Sequence, residues 1–255
     1  MWQKNALICF LVLFPLFTVL SNSEAAIEEE SGTISAHTVW TNADVHLVTG
    51  NVTVNPGIEL TIEPGTIVKF NPGTGISINE GILVAVGGVT SQIIFTSYRD
   101  DEFGGDTDGG GFSTGQPGDW ARISLNSAYG DVDATYTSLE NCIIRYGGSG
   151  NQGSIYLYNT DVPVISSEIS YGISYGIYAS NCSPLIQGNT ISNNGSYGIY
   201  TYDGSSLIQG NTISNNGNYG IYHRGYYTLP SPVDLNNTIT GNFGGIYVRY
   251  ATPTI

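Results

Sequence analysis

The sequence predicts an all-β protein whose short strands stack as the coils of a single-stranded parallel β-helix. Residues 185–200 read LIQGNTISNNGSYGIY, and residues 207–222 repeat this stretch with Asn218 in place of Ser196. Near-identity at an offset of 22 residues indicates stacked units that bury their apolar faces against one another. The repeat is rich in Asn, Gly and Ser and has no apolar pattern of helical period, which argues against a helical solenoid.

Each repeat is predicted to hold three short strands separated by turns. Residues 189–191 and 199–201 suit strands, whereas Asn193-Asn194-Gly195 is typical of a turn. Isoleucines recur every 22 to 26 residues and are predicted to form two inward rows, one coil above another. The rows are Ile143, Ile169, Ile191, Ile213 and Ile239, and Ile155, Ile177, Ile199, Ile221 and Ile246. Chain length and repeat period together predict nine or ten coils.

The repeat pattern N-T-I-S-x-N-x-x-x-G-I-Y resembles the repeats of right-handed parallel β-helix proteins, the pectin-lyase-like superfamily. The resemblance extends over residues 141–250, and it implies a right-handed coil. The superfamily includes polysaccharide lyases, hydrolases, accessory proteins and adhesins, so the resemblance implies no single activity.

The N-terminus has the layout of a secretory signal peptide over residues 1–26. Lys4 precedes an apolar run at 6–20, and the small residues Ala25 and Ala26 follow as candidate cleavage positions. We therefore expect the protein to be secreted or displayed at the cell surface, with no membrane span after removal of the signal. An uncleaved anchor is the alternative.

The rest of the chain is predicted to form one continuous solenoid. Residues 27–38 include three consecutive glutamates and are expected to form an acidic linker. Residues 39–125 alternate apolar and polar positions between Pro-Gly turns, which predicts the first coils; a separate sandwich domain is the alternative. The regular repeats occupy 126–255 and stop in mid-repeat, so we expect missing C-terminal coils or a capping partner.

Composition limits the possible partners of this chain. Only 11% of its residues are charged, and its net charge is −14. Nucleic acid and anionic membranes are therefore poor partners, whereas a cation such as calcium or a neutral polymer fits better.

A long acidic, glycine-rich loop at 98–119 is the candidate calcium site. Flexible loops with several carboxylate oxygens suit Ca²⁺, but no acidic residue completes the EF-hand spacing, so a solvated loop is the alternative. The candidate ligands are Asp100, Asp101, Glu102, Asp106 and Asp108.

Tyrosines give the second candidate site. Each residue after an inward isoleucine of the second row should face outward, because strand side chains alternate. This predicts an exposed row of Tyr156, Tyr178, Tyr200, Tyr222 and Tyr247, with Tyr158, Ser180, Tyr202, Arg224 and Arg249 two positions further along. Such rings suit stacking on sugars, so the predicted partner is a polysaccharide or cell-surface glycan; stacking of the rings on one another is the alternative.

Asparagines and cysteines are interpreted as structural. Asparagines that stand two residues before an inward isoleucine are predicted to form a hydrogen-bonded ladder at a turn: Asn141, Asn189, Asn211 and Asn237. Cys142 and Cys182 fall at different phases of the repeat, so they are predicted to lie apart as free thiols.

Catalytic residues cannot be assembled from this sequence. Asn159-Thr160-Asp161 matches the first tripeptide of the polygalacturonase family, but the later elements of that family are missing. His37, His46 and His223 are too scattered to indicate a transition-metal site. The sequence therefore predicts an exported glycan-binding module; the alternatives are a polysaccharide lyase or hydrolase, and a purely structural stalk or adhesin segment.

Overall fold

A computed structural model describes residues 25–127, 137–225 and 231–255 of the chain. These residues form twenty-four strands and no helix. Three strands build each complete coil, as the repeat predicted, and neighbouring strands in a sheet come from successive coils and pair in parallel.

The strands form nine coils, which confirms the prediction of a β-helix with nine or ten. The first two coils comprise β1 (Ile27–Ile34), β2 (Thr38–Trp40), β3 (Val45–Val54) and β4 (Glu59–Ile62). The next two comprise β5 (Ile67–Phe70), β6 (Ile76–Asn79), β7 (Ile82–Val86), β8 (Ile93–Ser97), β9 (Ile123–Asn126) and β10 (Ser138–Glu140).

The remaining five coils contain the regular repeats. The fifth and sixth comprise β11 (Cys142–Arg145), β12 (Ile155–Tyr158), β13 (Val164–Ile165), β14 (Glu168–Ser170), β15 (Ile177–Ser180) and β16 (Leu185–Gln187). The last three comprise β17 (Thr190–Ser192), β18 (Ile199–Tyr202), β19 (Leu207–Gln209), β20 (Thr212–Ser214), β21 (Tyr219–Arg224), β22 (Val233–Leu235), β23 (Thr238–Thr240) and β24 (Gly244–Arg249).

Three parallel sheets run along the solenoid. Sheet 1 contains β5, β8, β11, β14, β17, β20 and β23, and sheet 2 contains β6, β9, β12, β15, β18, β21 and β24. The long strand β3 joins these two sheets, because its first half pairs with β5 and its second half with β6. Sheet 3 contains β2, β4, β7, β10, β13, β16, β19 and β22. The predicted solenoid is divided between residues 125 and 126 into its first coils and its regular repeats. All three sheets continue across this boundary without a break.

The second isoleucine row is confirmed, and the first is confirmed except at one position. Strand pairing aligns Ile155, Ile177, Ile199, Ile221 and Ile246 as predicted. In the other row, Ile169 pairs with Ile144 rather than with Ile143, which is only partly buried and lies opposite Glu168. A shift of one residue moves a side chain to the other face of a strand, so the prediction for Ile143 was wrong.

The asparagine ladder stands at the corner between sheets 3 and 1. Oδ1 of Asn211 accepts from the backbone N of Asn189 (2.9 Å) and from its Nδ2 (3.0 Å), and Asn237 does the same for Asn211 (3.0 and 2.9 Å). Ser167 precedes Asn189 in the ladder, and Cys142 precedes Ser167.

Asn141 is not part of this ladder, which corrects the prediction. It has a φ of +49° and stands where later coils have Gly188 (φ +66°) and Gly210 (φ +64°). Non-glycine residues in this left-handed region are commonly Asn or Asp. Asn141 therefore contributes a left-handed backbone conformation to the corner and not a side chain of the ladder. A second ladder, Asn194, Asn216 and Asn242, lies between sheets 1 and 2 and was missed.

Residues 27–38 contain strand β1 where the sequence suggested an acidic linker. Ile27 pairs with Val45, and the pairing continues to Ile34 opposite Val54. Most side chains of β1 are exposed, so this strand is held mainly by backbone pairing and leaves no apolar pattern in the sequence. The predicted signal peptide falls almost entirely in residues 1–24, outside the described part of the chain.

Cys142 and Cys182 are free thiols, as predicted, and both are buried. Cys142 begins a strand of sheet 1, whereas Cys182 follows a strand of sheet 2. Burial raises the pKa of each thiol to about 12. Both thiols are therefore protonated near neutral pH and inert.

Candidate functional site

The outer face of sheet 2 brings the predicted tyrosines into one row. Strand pairing places Tyr156 beside Tyr178, Tyr178 beside Tyr200, Tyr200 beside Tyr222, and Tyr222 beside Tyr247. The second predicted row is also aligned, from Tyr158 through Ser180, Tyr202 and Arg224 to Arg249. The alternation of strand side chains therefore gave the correct face.

The rings of this row are less exposed than the sequence suggested. Tyr200 and Tyr222 are only 8% and 9% exposed, whereas Tyr247 in the last coil is 40% exposed. Ring centroids lie 4.9 Å apart between Tyr200 and Tyr222 and 5.1 Å apart between Tyr222 and Tyr247. Each ring thus covers the face of its neighbour, and the prediction of a freely exposed row was wrong for the central members.

A flanking row of tyrosines, which the sequence analysis missed, widens this surface. Tyr175, Tyr197 and Tyr219 stand two residues before the inward isoleucines of β15, β18 and β21. Each flanking ring contacts the central ring of the next coil: Tyr175 lies 5.3 Å from Tyr200, Tyr197 lies 5.0 Å from Tyr222, and Tyr219 lies 5.0 Å from Tyr247. We call the central row and the flanking row together the tyrosine array.

A glycine between the two tyrosines of each repeat permits this arrangement. A Cβ at Gly198 would lie 2.7 Å from the carbonyl oxygen of Gly220 and 2.6 Å from Cγ2 of Ile213. No larger residue fits there without moving the next coil. The recurring Y-G-I-Y motif was the signal in the sequence that could have revealed the flanking row.

Burial favours the protonated form of four phenol groups in the array. Burial and the nearby Tyr200 raise the pKa of Tyr178 to about 12. Burial likewise raises the pKa values of Tyr175, Tyr197 and Tyr200, although Arg224 opposes this effect at Tyr200. Each of these four hydroxyls can therefore donate a hydrogen bond as well as accept one.

Arginines border the C-terminal end of the array. The guanidinium carbon of Arg224 lies 5.5 Å from the centroid of Tyr202, and that of Arg249 lies 5.2 Å from the centroid of Tyr250. Such separations are typical of cation–π contacts. This edge of sheet 2 thus combines positive charge with aromatic surface.

Toward the N-terminus, small hydroxyl side chains continue the central row. Thr53 pairs with Ser77, Ser77 with Ser124, and Ser124 with Tyr156. Where the side chains are small, the surface is concave and encloses a pocket of about 370 Å³. Arg122 lines this pocket, and its Nη2 donates to the carbonyl oxygen of Ser149 (3.0 Å). Sheet 2 therefore carries a polar pocket at one end and the tyrosine array at the other.

The acidic loop folds around a buried lysine. Lys69 of β5 is fully buried, and its Nζ donates to the carbonyl oxygen of Gly105 (2.5 Å) and to Oγ1 of Thr107 (3.3 Å). Burial lowers the pKa of Lys69, while Asp101 and Asp100 oppose this shift. The ammonium group of Lys69 therefore occupies the space that the acidic loop surrounds.

The candidate calcium ligands are spread over this loop and bind protein groups. Asp106 accepts from the backbone N of Gly111 (2.9 Å) and of Gly109 (2.7 Å), and these bonds lower its pKa. The other bonds join Asp100 to Thr96, Asp101 to Ser113, Asp108 to Gly110, and Glu102 to Arg145. Among the described residues, no group of three or more His, Cys, Asp or Glu side chains could hold a metal ion.

A buried polar relay crosses the interior below the array. Nε2 of His223 donates to Oδ2 of Asp234 (2.8 Å), and its Nδ1 lies 2.7 Å from Oγ1 of Thr201. All three residues are at most 4% exposed. The relay therefore joins sheet 2 to sheet 3 inside the coil, where a polymeric substrate has no access.

Residues 159–161, which match a polygalacturonase tripeptide, form a turn after β12. Asn159 has a φ of +53°, and Oδ1 of Asp161 accepts from the backbone N of Ser183 in the next coil (2.5 Å). Thr160 is 4% exposed. These contacts give the tripeptide a structural role, because they hold successive turns of the solenoid together.

Comparison with known proteins gives the family. A family model described as "right handed beta helix region" matches residues 123–255, which is just over half of the chain. The chain therefore belongs to the right-handed β-helix family, which confirms the resemblance seen in its repeats. No curated protein and no solved structure matches it significantly. In the described residues, no helix has the length and apolar character needed to cross a membrane.

Proposed function

We propose that this protein is an exported β-helix module that binds glycans along the outer face of sheet 2. The proposal rests on the tyrosine array, in which central and flanking rings continue through successive coils. Extended rows of phenol groups offer ring edges and faces to sugar rings, and hydroxyls to sugar hydroxyls. Export is part of the proposal and derives from the charged and apolar pattern at 1–26.

The mode of binding follows from the burial of the rings. Because Tyr200 and Tyr222 cover each other, a sugar chain would contact their edges and hydroxyls rather than a free ring face. Tyr247 and the flanking tyrosines are more exposed. We therefore assign stacking on the ligand to these rings, and hydrogen bonding to the central ones.

A structural rod is the second candidate function. The parallel packing of Tyr200 on Tyr222, with 4° between the ring planes, favours it because such ring ladders stabilise stacked strands. An enzyme of the polysaccharide lyase or hydrolase type stays an alternative without assigned residues. Carboxylate pairs typically perform glycoside hydrolysis, and the strands of sheet 2 contain no Asp or Glu.

A glycan array tests the proposal, followed by affinity measurements on the polysaccharides that are retained. We expect Tyr197→Ala and Tyr219→Ala each to weaken binding several-fold, which corresponds to about 1 kcal/mol for one aromatic contact. Tyr171→Ala is the matched control, because this exposed tyrosine follows a strand of sheet 1. Reducing-end and unsaturated-uronate assays should detect no product.

Three results would separate the candidates. Formation of product from a bound polysaccharide would favour the enzyme. Absence of any retained glycan, with loss of thermal stability in the flanking variants, would favour the rod. Equal loss of binding in Tyr171→Ala would show that sheet 2 is not the binding face.

A further inference from the structure

The charge of the protein is distributed unevenly over its three sheets. The chain has a net charge of −14, yet the strands of sheet 2 contain no Asp or Glu. Sheets 1 and 3 do contain them, at Glu59, Glu140, Glu168 and Asp234. The outer face of sheet 2 therefore lacks the negative charge that the composition would lead one to expect there.

Unpaired cations are concentrated on the same face. Of the described lysine and arginine side chains, Lys69 is enclosed by the acidic loop, Arg99 pairs with Asp119, and Arg145 pairs with Glu102. The remaining three belong to sheet 2 or its border: Arg122, Arg224 and Arg249. None of these three forms an ion pair with a carboxylate of the described residues, so their charge is available to a ligand.

Arg122 stands in a pocket that suits an anionic oxygen. Asn51, Thr53, Ser77 and Ser124 line the pocket with amide and hydroxyl groups, and no carboxylate lines it. The bond from Nη2 to Ser149 holds the guanidinium in place and leaves its other N–H groups to donate. A guanidinium with neighbouring hydroxyls is a common arrangement for binding carboxylate or sulfate oxygens.

Arg224 and Arg249 occupy the other edge of the tyrosine array. Their strands pair in register, so the two side chains are neighbours in successive coils. Nε of Arg224 is enclosed and makes no hydrogen bond with the described residues. Arg122 lies four coils before Arg224, which is about 19 Å along the solenoid axis at the usual strand spacing. A single sugar cannot span this distance, but a polysaccharide chain with repeated charges can.

We propose that the ligand of sheet 2 is an anionic polysaccharide, whose carboxylate or sulfate groups bind Arg122 at one end of the tyrosine array and Arg224 and Arg249 at the other. This inference rests on the proposed function and narrows it. It also replaces the expectation of a neutral polymer, because net charge describes the whole chain and not the face that binds. The tyrosines hold the sugar rings, and the arginines select charged chains.

The test compares polymers that share one backbone. Affinity electrophoresis of the purified full chain should show retention by carboxymethyl-dextran or dextran sulfate at least ten-fold stronger than by dextran. The comparison of the two charged polymers distinguishes carboxylate from sulfate as the preferred group. Retention should weaken as NaCl is raised, because salt screens exposed charges.

Substitutions then assign the effect to Arg122 and Arg224. Arg122→Gln and Arg224→Gln should each reduce retention by the charged polymer about ten-fold, the effect of one charge-assisted hydrogen bond. Arg99→Gln is the control, because it makes the same change in charge at the acidic loop. Circular dichroism and thermal melting should show that all three variants are folded.

The outcomes separate this inference from the proposed function. Equal retention by dextran and its charged derivatives, or equal effects of Arg99→Gln and Arg122→Gln, would overturn the inference. If the glycan array retains neutral glycans only, the proposed function stands and the inference is wrong. Stronger binding of single-stranded DNA than of any polysaccharide would overturn it in favour of a nucleic-acid ligand. Retention by no polymer in either experiment would overturn both proposals.

Discussion

The phenol rings of Tyr200 and Tyr222 lie face to face, with 4.9 Å between their centroids and 4° between their planes. This separation matches the distance of about 4.8 Å between paired strands, so the coil spacing itself sets the ring stack. Each ring is less than a tenth exposed. The same side chains therefore contribute both to the stability of the coils and to the surface that we propose binds glycans.

The two contributions of Tyr200 can be separated by two substitutions. Tyr200→Ala should lower the free energy of unfolding by about 3 kcal/mol, because it removes most of a buried ring. Tyr200→Phe retains the ring and should change stability by less than about 1 kcal/mol, while it weakens glycan binding through loss of the hydroxyl. Urea unfolding and glycan affinity measure the two effects. Equal stability of the Ala and Phe variants would contradict the importance of the ring stack.

Removal of Asp234 should destabilise the C-terminal coils. Asp234→Ala leaves Nε2 of the buried His223 without its acceptor, which should cost about 3 kcal/mol. Because coils contact only their neighbours, hydrogen exchange should rise mainly in β18 to β24 and remain low in β3 to β8. Asp203→Ala, at a nearby turn, serves as the comparison substitution. A uniform rise along the whole chain would contradict a linear stack.

The first coils should become less stable as pH rises. Burial alone would lower the pKa of His46, but the hydrogen bonds to Glu30 and Thr41 and the charges of Glu30 and Glu28 outweigh burial and raise it above 6.5. A raised pKa means that the folded state favours protonated His46. Its contribution is therefore fully present below pH 6.5 and is lost as pH rises through the folded-state pKa.

Urea unfolding of the wild type and of His46→Gln, followed by tryptophan fluorescence, tests this prediction. Trp40 stacks on His46 with 5.2 Å between ring centroids and should report on the first coils. The wild type should lose stability as pH rises above 6.5, whereas His46→Gln should show a weaker dependence. Glu30→Gln should also weaken it, because the main raising interaction is removed. Parallel profiles for all three proteins would exclude His46 as the cause.

The acidic loop allows a direct test of the calcium hypothesis. If Ca²⁺ binds to the carboxylates at 100–108, cleavage after Glu102 by endoproteinase Glu-C should be slower in calcium than in chelator. Lys69→Met should speed cleavage under both conditions, because it removes the cation that the loop surrounds. Arg99→Gln controls for loss of a more exposed cation in the same region. Identical cleavage of the wild type with and without calcium would refute the calcium hypothesis.

The regular coils could be predicted from the sequence because their repeats are nearly identical. The side of the strand on which Tyr178, Tyr200 and Tyr222 lie follows from alternation after an inward isoleucine. Their burial does not follow, because it depends on how large rings in neighbouring coils cover one another. The flanking ring of Tyr197 was missed because a glycine corner separates it from Ile199, and simple alternation does not hold across a corner.

Other features escaped prediction because they depend on register or on distant parts of the chain. At the corners that lead into β11 and β14, Cys142 and Ser167 replace asparagine in the ladder, so Asn141 and Ile143 were placed one residue out of register. Strand β1 pairs through its backbone and leaves no apolar pattern. Arg224 and Arg249 were placed on the face of the tyrosines from the sequence, whereas Arg122 lies four coils before Arg224 and only the fold brings it to the same face.

The two near-identical units, residues 185–200 and 207–222, pair residue for residue, with Leu185 beside Leu207 and Tyr200 beside Tyr222. Any extra copy of this unit placed between them would meet the same neighbours on both sides that the present units meet. The protein could therefore grow or shorten in whole steps of about 4.8 Å without alteration of either end. Duplication of one short stretch of coding sequence would lengthen the surface that we propose binds a polysaccharide. The length of the solenoid is therefore the property of this architecture that mutation can change most simply.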